Sequence, residues 1–122
     1  MLGRMKPIKP RAHGIIDYIA CGTMAAAPHL LGLNSTARIT SYALAGSYLV
    51  ISALTDYPVA LRRIIPFPLH GKTELATVPA LAALPFVVGS LRGGKERGYF
   101  LGLAGVVLGT YLLTDWEADP DA

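Results

Sequence analysis

The chain has 122 residues, 52% hydrophobic and 16% charged, and its mean hydropathy is positive. That length supports one domain, and so apolar a composition excludes a disordered chain and argues for helices in lipid over a soluble bundle, whose helices need a polar face. In that setting a net charge of +3 reports topology rather than affinity for nucleic acid, and a single cysteine, Cys21, excludes an internal disulfide or a thiolate cage.

Residues 1–12 are basic and hold Pro7 and Pro10, which suits an irregular arm at lipid headgroups. They lead into a segment carrying Asp17 rather than a short apolar core with a cleavage site, so no cleavable signal peptide is expected. Four apolar segments follow, Ile15–Leu33, Ile39–Leu54, Leu75–Leu91 and Tyr99–Leu113. Each is close to the length that crosses a hydrocarbon core of roughly 30 Å. The first helix is expected from Arg11 to Ala26, where Pro28 kinks or ends it, and Gly32 and Asn34 turn the chain. The second runs from Ser35 or Thr36 to Thr55-Asp56-Tyr57. Arg62 and Arg63 follow at the headgroups. The third helix opens at His70, passes Pro79 and Pro85 and reaches Gly89. Gly98, Gly102, Gly105 and Gly109 of the fourth helix, with Gly46 of the second, form small-residue faces suited to close helix packing. The fourth helix ends at Thr114-Asp115-Trp116, and Tyr18, Tyr57 and Trp116 suit an interfacial belt.

The two halves repeat. At a shift of fifty-seven, His13, Gly14, Asp17, Pro28 and Gly32 fall on His70, Gly71, Glu74, Pro85 and Gly89. At fifty-nine, Leu44-Ala45-Gly46 falls on Leu103-Ala104-Gly105 and Thr55-Asp56-Tyr57 on Thr114-Asp115-Trp116. The expected architecture is all-α, a single membrane domain over 1–122. It is a four-transmembrane-helix bundle of two tandem helical hairpins, 11–58 and 67–117, related by a pseudo-two-fold axis along the membrane normal. Seven basic residues on the side of the termini (Arg4, Lys6, Lys9, Arg11, Arg62, Arg63, Lys72) against four opposite (Arg38, Arg92, Lys95, Arg97) predict cytoplasmic termini.

The chemistry-bearing residues gather at that end. His13 with Asp17 and His70 with Glu74 stand at i, i+4, one helical turn apart, and Asp56 and Asp115 close the second and fourth helices. Three readings fit. In the structural one, Asp17 and Glu74 favour first helical turns, while Asp56 and Asp115 at C-termini need partners from His13, His70, Arg62, Arg63 or Lys72. In the second, His13 and His70 with nearby carboxylates bind haem or a divalent metal such as zinc, iron or manganese, although the spacing differs from the Glu-x-x-His of di-iron bundles. The third is proton or ion translocation. His29 stands alone at the other end as an interfacial side chain. No nucleophile motif or phosphate-cradling loop is present, so no enzyme is expected.

The His-Gly-x-x-Asp-Tyr opening, the x-Pro-x-x-x-Gly turn and the closing Thr-Asp-Tyr resemble the SPW-repeat family of small bacterial membrane proteins over nearly the whole chain. Of its Ser-Pro-Trp signature only the proline stands here, in Ala27-Pro28-His29 and Leu84-Pro85-Phe86. The resemblance implies a two-repeat, four-helix integral protein of the inner membrane, with no catalytic activity to carry over. The expected role is a structural or accessory component of a membrane assembly, or a homo-oligomer. It would lie in the lipid bilayer, bind no nucleic acid and hold no cofactor, with haem or a divalent metal as the alternative.

Overall fold

Proline opens both helices that carry the histidine pairs. Pro10 is the first residue of α1 (Pro10–Leu30) and Pro68 the second of α3 (Phe67–Val87), where a missing N–H leaves no intrahelical bond unmade and the fixed φ is already helical. α2 (Ser35–Ala53) starts behind Asn34, whose side chain accepts a hydrogen bond from the Ala37 N–H at 2.9 Å. α4 (Gly94–Leu113) follows a 3-10 turn at Gly89–Leu91. Between α1 and α2 the chain reverses at Gly32, whose φ of 64° is the left-handed conformation that glycine adopts without strain. The computed structural model describes residues 6–122, and these form four α-helices and no sheet. Arg4, one of the basic residues of the arm, lies outside them.

α1 runs through Pro28 instead of ending at Ala26. The proline frees the carbonyl of Met24, four residues back, and the Ser41 hydroxyl of α2 donates to that carbonyl at 2.6 Å. The orphaned acceptor is therefore satisfied by the neighbouring helix. α3 likewise continues through Pro79 and Pro85, and it begins three residues before His70.

Packing is strongest within hairpins, α1 on α2 and α3 on α4. One apolar cluster (Leu33, Ala37, Leu81, Leu91, Phe100, Ala104) fills the end with the two turns, and a second (Cys21, Met24, Ala45, Tyr48) lies between α1 and α2. The opposite end is tied by backbone. Ile8, ahead of α1, bridges Thr114, with the Asp115 N–H donating to the Ile8 carbonyl at 2.8 Å; Ile65, ahead of α3, bridges Thr55, with the Asp56 N–H donating to the Ile65 carbonyl at 2.7 Å. Ile8 and Ile65 are themselves fifty-seven positions apart.

The expected membrane spans and inner-membrane location are not borne out. Among the described residues, no helix is long and apolar enough to cross a membrane. With 19 to 21 residues the helices do not lack length; they lack apolarity. Each apolar segment reaches helical length only by taking in polar residues, namely Arg11, His13 and Asp17 in α1, Arg38 and several hydroxyls in α2, His70, Lys72 and Glu74 in α3, and Lys95, Glu96 and Arg97 in α4. Tyr57 and Trp116 also depart from an interfacial belt. Tyr57 is fully buried, and both rings pack inward against the histidines.

The close approaches fall at glycines other than the expected ones. A Cβ at Gly71 would stand 2.9 Å from ring carbons of Trp116, and one at Gly14 would overlap Val59 Cγ2 and crowd the Tyr57 ring. At Gly46, Gly98, Gly102, Gly105 and Gly109 it would meet no atom within 4 Å, so these faces make no close helix contact within this chain. Gly71→Ala is expected to lower stability by about 1–3 kcal/mol through overpacking. Gly102→Ala, on an open helical face, is expected to raise it by about 0.5–1 kcal/mol. Chemical denaturation of both variants checks the contrast.

Candidate metal centre

His13 and Asp17 share one face of α1, and His70 and Glu74 the matching face of α3, all four buried. The bridges at Ile8 and Ile65 set each histidine beside the end of a helix from the other half. His13 Nδ1 lies 2.8 Å from the Thr114 hydroxyl and His70 Nδ1 lies 2.7 Å from that of Thr55. Each threonine donates its own hydrogen to the carbonyl one turn back, Thr114 to Thr110 and Thr55 to Ile51, both at 2.6 Å. Each hydroxyl is therefore left to accept, which places a hydrogen on Nδ1 of both histidines. Both Nε2 atoms turn inward.

Those nitrogens alternate with carboxylates around a closed ring. His13 Nε2 is 2.8 Å from Glu74 Oε1 and 3.3 Å from Asp17 Oδ1; His70 Nε2 is 3.0 Å from the same Glu74 oxygen and 3.2 Å from Asp17 Oδ2. Tyr57 donates to Asp17 Oδ2 at 3.1 Å, while Glu74 Oε2 is buried with no hydrogen-bond partner. Aromatic rings cover one side of the site. Trp116 lies 4.8 Å from the His13 ring and 4.6 Å from Phe67, whose edge-on contact with His13 is 5.5 Å between centroids.

The electrostatics follow from that enclosure. Burial by itself would lower the His13 pKa, but the hydrogen bonds and charges of Asp17 and Glu74 outweigh it and raise the value to about 9. His70 is raised by the same balance. Burial would raise Asp17, yet His13 and His70 hold it down at about 2. Burial, and next the charge of Asp17, raise Tyr57, which stays a phenol and a donor. Two protonated imidazoles therefore face Asp17 and Glu74 across the ring.

The same donors suit a cation. One ligand atom from each of the four residues lies within 4.8 Å of all the others. The two Nε2 atoms, Glu74 Oε1 and either oxygen of Asp17 form a compact donor set that would have to draw in only slightly to reach the roughly 2.0–2.2 Å of metal bonds to imidazole nitrogen and carboxylate oxygen. With Nδ1–H committed to threonine, a deprotonated Nε2 presents its lone pair to that centre, and the hydrogen bond behind each ring fixes its orientation, as outer-sphere partners of metal ligands do. Two neutral imidazoles, two carboxylates and a divalent ion also sum to zero charge.

Of the six polar residues expected at this end, four come together and two do not. Asp115 pairs with Lys9 at 2.9 Å, a contact that holds its carboxyl below the usual range, and Asp56 pairs with Arg63 at 2.6 Å; Arg63 also reaches Asp121 at 2.6 Å. In each Thr-Asp pair it is the threonine that meets the histidine. Thr55, Thr114, Tyr57 and Trp116 are the residues that motif reading passed over, although the fifty-nine-residue shift already aligned them. His29 lies at the other end of α1, its ring 5.5 Å from that of Tyr42. Comparison of the chain with known protein families, characterised proteins and solved structures gives no match. The resemblance to the SPW-repeat family rests on the motifs of the chain itself.

The shifts predict how the metal-free protein responds to pH. His13, raised from 6.5 to about 9, contributes stability that is complete below 6.5 and lost as pH rises through 9; Asp17, lowered from 3.8 to about 2, contributes stability present above 3.8 and lost as pH falls through 2. Stability in the presence of a chelator is expected to be level between these limits and to fall by roughly 3 kcal/mol between pH 6.5 and 9, at about 1.4 kcal/mol per pKa unit. Urea midpoints across that range measure it, and midpoints that rose with pH would contradict the assignment of imidazolium to the folded state.

Proposed function

We propose that the chain is a metal-binding protein whose ring of His13, Asp17, His70 and Glu74 holds one divalent first-row transition ion. Imidazole with carboxylate suits zinc, iron or manganese. The observation that carries this reading is the convergence of two Nε2 atoms and two carboxylates, buried together, with each outer imidazole nitrogen already bonded to a threonine hydroxyl. Taking up the ion would release two protons, one from each Nε2, and leave the ring neutral. Haem ligation is not favoured by this geometry, because both Nε2 atoms reach the same oxygen of Glu74 and leave no slot for a macrocycle. Translocation would need a spanning path, and among the described residues no helix is long and apolar enough to cross a membrane.

The reading extends to the fold. The two hairpins would be related by a pseudo-two-fold axis passing near the ring, which is supported by the paired bridges at Ile8 and Ile65 and the crossed His–Thr bonds. Large apolar side chains left on the outer helical faces, such as Ile19, Ile39, Val50 and Val106, suit a component of a homo-oligomer or a larger assembly.

A second reading is a structural tie without metal, in which two imidazoliums neutralise two carboxylates. It is favoured by the near-complete pairing of the ring, where Glu74 Oε2 alone has no partner. Elemental analysis after equilibration with zinc, cobalt or iron separates the two. One ion per chain is expected for the parent and for Asp56→Asn and Asp115→Asn, and none for His13→Ala or His70→Ala. A parent chain that retains no ion, and whose melting no divalent ion shifts, leaves the structural tie.

The threonines supply a finer check. Thr55→Val and Thr114→Val remove the acceptor behind each imidazole while nearly preserving its shape. Each is expected to weaken metal affinity about 10–100-fold, measured by competition with a chromophoric chelator.

A further inference from the structure

We infer that the ion held by the ring takes up one small uncharged ligand, of the class of dioxygen and nitric oxide, from the cavity beside it. The inference rests on the metal-binding reading above. The cavity opens between α1 and α4, is floored by Tyr48 of α2 and Leu81 of α3, and measures about 40 Å³. At roughly 10–15 Å³ for each water-sized occupant, that is room for about three. Ile16, Ala20, Met24, Leu103 and Val107 make its walls apolar, and Asp17 and Glu74 of the ring line it as well.

Three features give the ligand its class. Asp17 and Glu74 belong to both the ring and the cavity wall, so a ligand in the cavity would stand beside the ion. The metal-loaded ring is neutral, so an uncharged ligand enters without adding charge, whereas an anion would carry charge into apolar walls. Tyr48 lines both this cavity and a second, and its buried hydroxyl makes no well-formed hydrogen bond, which leaves a donor at the boundary of the two. A second cavity of about 90 Å³ between α2 and α3, reached by Ser47, Thr73 and Thr77, meets the first at Tyr48 and Glu74; its hydroxyls suit water.

The test loads the protein anaerobically with ferrous ion and titrates nitric oxide, followed by absorption and electron paramagnetic resonance. One nitric oxide per iron is expected, with the half-integer-spin signal of a ferrous nitrosyl. Ala20→Leu fills the cavity from its wall without touching a ligand to the ion. It is expected to keep its iron and to lose nitric oxide affinity at least tenfold, and Val107→Phe serves if that variant does not fold. Azide, small but charged, is expected to need at least tenfold higher concentration than nitric oxide. Iron retained with no response to nitric oxide overturns this inference and leaves the metal site standing. Affinity unmoved by the filled cavity, or azide binding as readily, also overturns it, and a chain that retains no iron overturns both readings.

Discussion

One oxygen atom, Glu74 Oε1, is shared by the two imidazoles, and the arrangement of the whole end of the bundle depends on that sharing. The hairpins pack mainly within themselves, so α1 and α3 are drawn together there chiefly by His13 reaching across to Glu74 and His70 reaching across to Asp17. A carboxylate this deeply buried is tolerable only while it is paired. Fixing Glu74 against both rings therefore fixes the approach of two helices at once.

The ring is also a crossing point between the halves. Each histidine is carried by the first helix of its own hairpin but is oriented by the threonine that ends the second helix of the other. Neither half completes its own site. The exchange follows from the short backbone bridges, because Ile8 is held beside Thr114 and Ile65 beside Thr55 only a few residues before the histidines. A threonine suits this position better than the aspartate next to it. Its hydroxyl can donate to the helix carbonyl and accept from Nδ1 at the same time, while a second carboxylate per imidazole would leave the cluster with excess negative charge.

The pairing of His13 with Asp17 and of His70 with Glu74 was legible in the sequence, because i, i+4 spacing on a helix fixes a shared face whatever the fold around it. The four helices were legible too. Two physical judgments failed. The apolar segment Tyr99–Leu113 does not announce that Lys95, Glu96 and Arg97 ahead of it form the first turn of α4. The exposed glycines of α4 were weighted above Gly14 and Gly71, whose neighbours Tyr57 and Trp116 are distant in sequence. No local pattern announces a contact that only the crossing of the two halves creates. Pro28 belongs with these, since the hydroxyl that rescues its freed carbonyl sits on another helix.

The distribution of polarity bears on what the ring does for the fold. Ile19, Ile39 and Val87 are about two-thirds exposed, at 64%, 67% and 72%, while two histidines and two carboxylates are buried beside Trp116 and Phe67. Apolar burial is non-directional, so even with Tyr57 and Phe67 buried at this end it leaves the relative rotation of the helices weakly determined. Ion pairs and hydrogen bonds are directional. A buried ion pair adds little net stability over a well-packed apolar pair of the same volume, but removing one partner costs about 3–5 kcal/mol. The ring therefore selects one arrangement of the four helices by penalising the others. The same constraint that selects the fold gathers two Nε2 atoms and two carboxylates within 4.8 Å of one another.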